Sequence, residues 1–182
     1  MINKKLVVVG CCVLSSIAYA ERPVVEHGLI AGASVQVGSY EEDGGDSVSP
    51  IGGLLSLEKP LTDNFSLRAD YAFGLEGDTT EVGTTDVDVS LVGMFSGFAK
   101  VQTSDIAGFR LYGLLGVSKA EFKAEVIDSD AETTDGDTGL SYGLGVTAGI
   151  KPGLTVNGEF VSYLSEDTYS YSGFNFGLSK LF

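Results

Sequence analysis

Tryptophan is missing from the 182 residues, histidine occurs once, cysteine twice and proline four times. Both cysteines, Cys11 and Cys12, lie in the first apolar stretch, so the rest of the chain holds neither a disulfide framework nor a thiolate zinc site. Basic residues are scarce, 11 against 25 acidic, for a net charge of -14. Nucleic-acid binding relies on clustered Lys and Arg releasing counterions and does not fit that balance. Long hydrophobic runs are also rare. A single one, near the N-terminus, excludes a bundle of membrane-spanning helices. Yet 43% of the residues are hydrophobic, too many for a disordered chain.

Residues 1–20 read as an export signal: Lys4 and Lys5, an apolar stretch from Leu6 to Ile17, and a small-x-small end at Ala18-Tyr19-Ala20 before the polar Glu21. The stretch is shorter than the ~20 residues a spanning helix needs. Cleavage is expected after Ala20. Val8-Val9-Gly10-Cys11 loosely resembles a lipobox, but it would leave only Leu6 to Val9 as apolar region. Removing residues 1–20 takes two lysines, both cysteines and no acid, leaving nine bases against 25 acids and a charge of -16.

Beyond that point the sequence alternates. Gly139 to Ile150 puts Leu140, Tyr142, Leu144, Val146, Ala148 and Ile150 on one face, and Gly139, Ser141, Gly143, Gly145, Thr147 and Gly149 on the other. Period two means strand. The same pattern predicts eight strands, near 29–40, 50–59, 65–76, 87–101, 109–125, 138–150, 154–165 and 171–182. In the fourth, Leu91 to Phe95 run together and leave room for a bulge, with the odd residues placed outward.

The connections alternate too. Pro60 to Asn64, Gln102 to Gly108 and Lys151-Pro152-Gly153 are short, whereas 41–49, 77–86, 126–137 and 166–170 are polar, acidic and mostly longer. Short turns at one end and longer loops at the other predict an all-β fold, an eight-stranded antiparallel up-and-down barrel with both termini at the short-turn end. A soluble barrel would turn its large apolar residues inward. Here the small, polar face suits a crowded lumen, so the apolar face is expected to meet lipid. Strands of ~9–11 residues cross a bilayer, and these reach that length. The expected organisation is a signal at 1–20, a short periplasmic segment at 21–28 and a transmembrane barrel at 29–182. A soluble periplasmic barrel holding a small ligand is the inverted alternative.

In the last strand Phe174, Phe176, Leu178 and Phe182 share one parity, opposite Gly173, Asn175, Gly177 and Ser179. A terminal strand ending in an aromatic residue resembles the assembly signal of bacterial outer-membrane barrels. Together with Leu111-Tyr112-Gly113-Leu114-Leu115-Gly116-Val117 and Ser141-Tyr142-Gly143-Leu144-Gly145, it makes the chain resemble small eight-stranded outer-membrane barrels of the Ail/Lom and OmpX type. The chain ends Ser179-Lys180-Leu181-Phe182, where that family commonly has a Gly-Tyr-Arg-Phe-like ending. Lys180, on the lipid-facing parity, is near enough to the end to snorkel. The resemblance implies an integral protein of a Gram-negative outer membrane. It also implies contact with lipid and lipopolysaccharide, insertion by the barrel assembly machinery, and for some members adhesion to host surfaces. A monomer is expected.

Glu58, Arg68, Asp70, Lys100, Arg110 and Glu159 fall on the inward parity, three acids and three bases. A charge on the lipid face costs ~2–4 kcal/mol at the midplane, so an interior network is expected. Eight strands enclose little more than their own side chains, and this network should fill them. The longer loops and the strand ends that flank them carry 18 of the 25 acids. They form a solvated rim or a place where divalent cations bridge to lipopolysaccharide or a partner. Asp128, Asp130 and Glu132 resemble a calcium loop only superficially, because Thr133 stands where an EF-hand has glycine and Gly139 where it has glutamate.

No cofactor motif is present and catalysis is not expected. The sole histidine, His27, precedes the first strand at the short-turn end, so a nucleophile would be an unassisted Ser or Thr. Two function classes remain: a membrane anchor that displays acidic loops, and a narrow pore or small-molecule conduit. The predicted charged plug argues against the pore.

Overall fold

In a computed structural model, residues 28–42, 47–82, 85–126, 132–165 and 169–182 are described. They form nine strands: β1 Ile30–Glu42, β2 Ile51–Pro60, β3 Phe65–Glu76, β4 Asp78–Val82, β5 Thr85–Gln102, β6 Phe109–Val126, β7 Glu132–Lys151, β8 Leu154–Ser165 and β9 Tyr169–Leu181. Every neighbouring pair is antiparallel. β3 and β4 follow one another along the same edge of β5, so nine strands make eight walls.

The barrel closes where β1 pairs with β9, in register from Ile30 opposite Leu181 to Glu42 opposite Tyr169. The clamp extends past the strands, since Phe182 donates its N–H to the Leu29 carbonyl at 2.8 Å and accepts from Leu29 N–H at 3.1 Å. Each of the eight walls is thus bonded to a neighbour on both sides, the condition for a sheet to sit in hydrocarbon.

Local chemistry sets the tight turns. Between β2 and β3 the Thr62 hydroxyl accepts the Phe65 N–H at 3.0 Å. Between β5 and β6 Ala107 and Gly108 take positive φ, 54° and 88°, while Asp105 Oδ1 accepts the Gly108 N–H at 2.7 Å. Between β7 and β8 Gly153 takes φ 75° after Pro152. All three turns lie at the end where Ile30 and Leu181 meet.

Large apolar side chains face outward. Leu144 is 74% exposed and Phe95 67%, and Val35, Leu55, Leu67, Leu111, Leu115, Leu140, Phe160 and Phe176 lie on the same outer surface. Burial alternates with them along the strands, as in β3, where Ser66, Arg68, Asp70 and Ala72 are buried between exposed neighbours. A water-soluble barrel would have the reverse arrangement, so the inverted alternative is contradicted.

Two departures from the sequence pattern share a cause. In β5 the odd residues Phe95, Gly97 and Val101 do face outward, but an irregularity between Leu91 and Gly93 turns Leu91 inward and Val92 outward. A second one, between Ser162 and Leu164, buries Leu164 beside Tyr163. One extra residue shifts the period and swaps the faces. A further difference is β4, which lengthens the β3–β5 wall into a segment expected to be loop, as β7 does by beginning at Glu132 and not near 138. Gly74, near that junction, has no room for a Cβ because the Leu91 carbonyl oxygen lies against it.

Candidate functional site

The barrel interior holds the polar groups that the lipid-facing surface cannot. Its centre is Glu159, on β8 and 1% exposed. Arg68, from β3 across the lumen, donates through Nη1 to Glu159 Oε2 and through Nη2 to Oε1, each at 2.7 Å. The Arg68 Nε donates to Asp70 Oδ1 at 2.7 Å, two residues along the same face. The Tyr112 hydroxyl donates to Glu159 Oε2 at 2.6 Å, and Asn175 Nδ2 donates to Oε1 at 3.1 Å. One carboxylate thus accepts four hydrogen bonds, the condition under which a buried charge pair is tolerated.

A second pair lies nearer the short turns. Lys100 Nζ donates to Glu58 Oε2 at 2.8 Å, and the Ser66 hydroxyl donates to Oε1 at 2.7 Å. Lys100 also sits 4.3 Å from the centroid of the Tyr112 ring. Tyr112 therefore joins the two charge clusters, through its face on one side and its hydroxyl on the other. This needs Gly145, since a Cβ there would meet the ring carbon and oxygen of Tyr112.

Toward the other end the lumen is closed by neutral groups. Asn175 Nδ2 also donates to the Tyr163 hydroxyl at 2.7 Å, and the Tyr171 hydroxyl donates to Gln36 Oε1 at 3.0 Å. The Ser141 hydroxyl donates to the Tyr163 carbonyl at 2.8 Å and accepts from Ser118 at 2.6 Å, and Ser118 in turn accepts from Ser96 at 2.7 Å. Beyond them Tyr40, Phe122, Tyr169 and Tyr171 pack ring on ring, with centroids 5.0 to 5.6 Å apart. Tyr169 and Tyr171 thus belong to this inner cluster.

Five of the six inward charges, Glu58, Arg68, Asp70, Lys100 and Glu159, are thus brought into ion pairs. Arg110 is not: it lines a cavity at the short-turn end, with no ion pair among the described residues. Sequence reasoning missed Tyr112, Asn175, Tyr163 and Gln36. Their inward parity was legible, but alternation identifies a face and not a partner.

Elsewhere, Phe174, Phe176, Leu178 and Phe182 are exposed on the outer surface. Lys180 shares that side, its Nζ 4.9 Å from the Phe182 ring centroid. Asp128 and Asp130 lie outside the described residues, as do Ala20, His27 and the side chain of Glu132. Among the described residues no group of three or more His, Cys, Asp or Glu is placed to hold a metal.

The fold has known counterparts. The crystal structure of Ail, the attachment invasion locus protein of Yersinia pestis, superimposes with a TM-score of 0.65 at 18% identity, over 86% of this chain and 99% of that one. Neisserial surface protein A gives 0.63 at 13% identity, covering 85% and 97%. OprG of Pseudomonas aeruginosa gives 0.58 at 14% identity, covering 85% and 95%. No curated protein matches the sequence. At these identities the likeness is one of fold, and it is the fold of small outer-membrane barrels. The family model for the outer membrane protein beta-barrel domain matches residues 6–182. With its outward apolar surface, closed antiparallel wall and polar interior, the chain is an integral outer-membrane protein and belongs to the outer membrane protein beta-barrel domain family.

Proposed function

We infer that the protein is a non-catalytic, non-conducting anchor that holds acidic segments on the cell exterior, with both termini in the periplasm. The filled interior supports this most directly. The Arg68–Glu159 pair, Tyr112, Asn175 and the tyrosines behind them occupy the cross-section a pore would need. Glu159 accepts four hydrogen bonds and has no capacity left to act as a general base.

The orientation follows from the turns, because short turns face the periplasm and longer loops the exterior in bacterial barrels. The longer loops carry most of the acid, and Glu41, Glu76, Glu121 and Asp137 are exposed around that end. An acidic rim repels other anions unless divalent cations intervene, so lipopolysaccharide would be met through bridging cations. Ail was crystallised with the heparin analogue sucrose octasulfate. A polyanion of that kind is a poor match here, where Lys119 and Lys123 are the basic residues of the outer rim, and a cationic host or environmental surface is the better one. Residues 1–20 act as a removable signal and 21–28 as a periplasmic lead into the barrel. The outward Phe174, Phe176, Leu178 and Phe182 serve recognition by the assembly machinery, and the barrel works as a monomer.

Single cysteines test the arrangement. Ser129→Cys, in the third long loop, is expected to react with a membrane-impermeant maleimide on intact cells. Ser104→Cys, in a short turn, should react only after the outer membrane is broken. The reverse pattern would overturn the orientation.

A further inference from the structure

The short-turn end of the lumen opens into a cavity of about 140 Å³. One water needs ~10–15 Å³ on this measure, so the space accepts a small molecule. Its lining is unusual for a chain of net charge -14, because Lys100, Arg110 and Lys151 reach it from three strands and Glu58 is its one acid among the described residues. Glu58 is already engaged by Lys100 and Ser66. Arg68, at the floor, is committed to Glu159 and Asp70. Arg110 and Lys151 join no ion pair among the described residues, and the buried Nε of Arg110 finds no acceptor there.

A buried guanidinium N–H without an acceptor is costly, and an arginine fork suits a planar or tetrahedral oxyanion. Neutral donors stand beside it. Asn157 accepts from Ser179 with its carbonyl oxygen, leaving its amide N–H groups to donate, and Thr147 offers a hydroxyl on the strand next to Arg110. The charge clusters above this cavity hold three acids against two bases, whereas Arg110 and Lys151 bring to the cavity itself two positive charges that are unpaired among the described residues. We propose that this vestibule is a binding site for one small oxyanion, a carboxylate or phosphate group, held by Arg110 with Lys151 at the mouth. The site stands independently of the orientation inferred above; only the compartment that supplies the anion follows from it.

The folded barrel, in nonionic micelles at low salt, is titrated with sodium phosphate or sodium acetate while the Thr147 backbone amide is followed by NMR. A saturable shift is expected. Response to phosphate alone would identify a phosphate-bearing ligand and response to acetate alone a carboxylate-bearing one. Arg110→Gln should weaken binding about tenfold or more, the loss of one charged hydrogen-bonding partner. Lys119→Gln, at the opposite end, should leave it unchanged. No saturable shift with either anion, an unaltered affinity in Arg110→Gln, or equal weakening by Lys119→Gln would each overturn the site. Should Arg110→Gln fail to fold, Lys151→Gln replaces it, with about threefold weakening expected and an unchanged affinity overturning the site.

Discussion

Replacing Glu159 by alanine removes the acceptor that organises the interior. Arg68 Nη1 and Nη2 lose both their bonds, and the Tyr112 hydroxyl and Asn175 Nδ2 lose an acceptor each. Removing one partner of a buried ion pair costs ~3–5 kcal/mol, most of it from the charge left behind. Asp70 stays on Arg68 Nε and compensates part of that charge, so the expected loss lies near the lower bound, about 3 kcal/mol. For an m-value of ~1–3 kcal/mol per molar urea, the midpoint of unfolding should fall by about 1–3 M. The assay is urea unfolding of the barrel in lipid vesicles, read by the gel mobility of unheated samples, since the folded barrel runs apart from the unfolded chain. The double substitution Arg68→Met with Glu159→Leu removes both charges and should cost less than Glu159→Ala alone. An unchanged midpoint in Glu159→Ala, or a double variant whose loss equals the sum of the singles, would refute the view that these groups form one coupled plug.

Two further outcomes follow. Leu115→Arg puts a charge on the outer surface, where Leu115 is 58% exposed, and should destabilise the barrel in bilayers by ~2–4 kcal/mol if the residue sits near the midplane; a neutral result in vesicle unfolding would mean this face does not meet lipid. Gly145→Ala drives a methyl into the Tyr112 ring and should break its bond to Glu159, at about 1.5–3 kcal/mol in the same assay; a wild-type midpoint would mean Tyr112 is not needed there.

The alternation of large apolar with small polar residues was enough to read the walls, because one lipid-facing surface constrains every second residue of each strand. It failed where that constraint is relaxed. At Leu91 an irregularity reverses the faces, and nothing in Leu91-Val92-Gly93-Met94 marks which residue is the extra one. β4 escaped detection because Asp78 to Glu81 is polar and shows no alternation, and its pairing with Thr85 to Val89 relies on backbone bonds. The charges were legible as inward, but their partners were not. Glu159 meets Arg68 from a strand 91 residues away, while Arg110, of the same parity, joins no ion pair among the described residues. Aromatic rings suit both an interface and a packed interior, and closure of β9 on β1 and β8 puts Tyr169 and Tyr171 in the interior.

The most direct test of the closed anchor is the conductance of the folded protein in a planar bilayer, measured over a range of voltages of both signs. Folding is established beforehand by the mobility difference between heated and unheated samples. A bilayer that takes up the barrel and shows no discrete current steps is the predicted result. Reproducible steps from the folded wild type would contradict it, since ions would then be crossing the layer held by Arg68, Tyr112, Glu159 and Asn175.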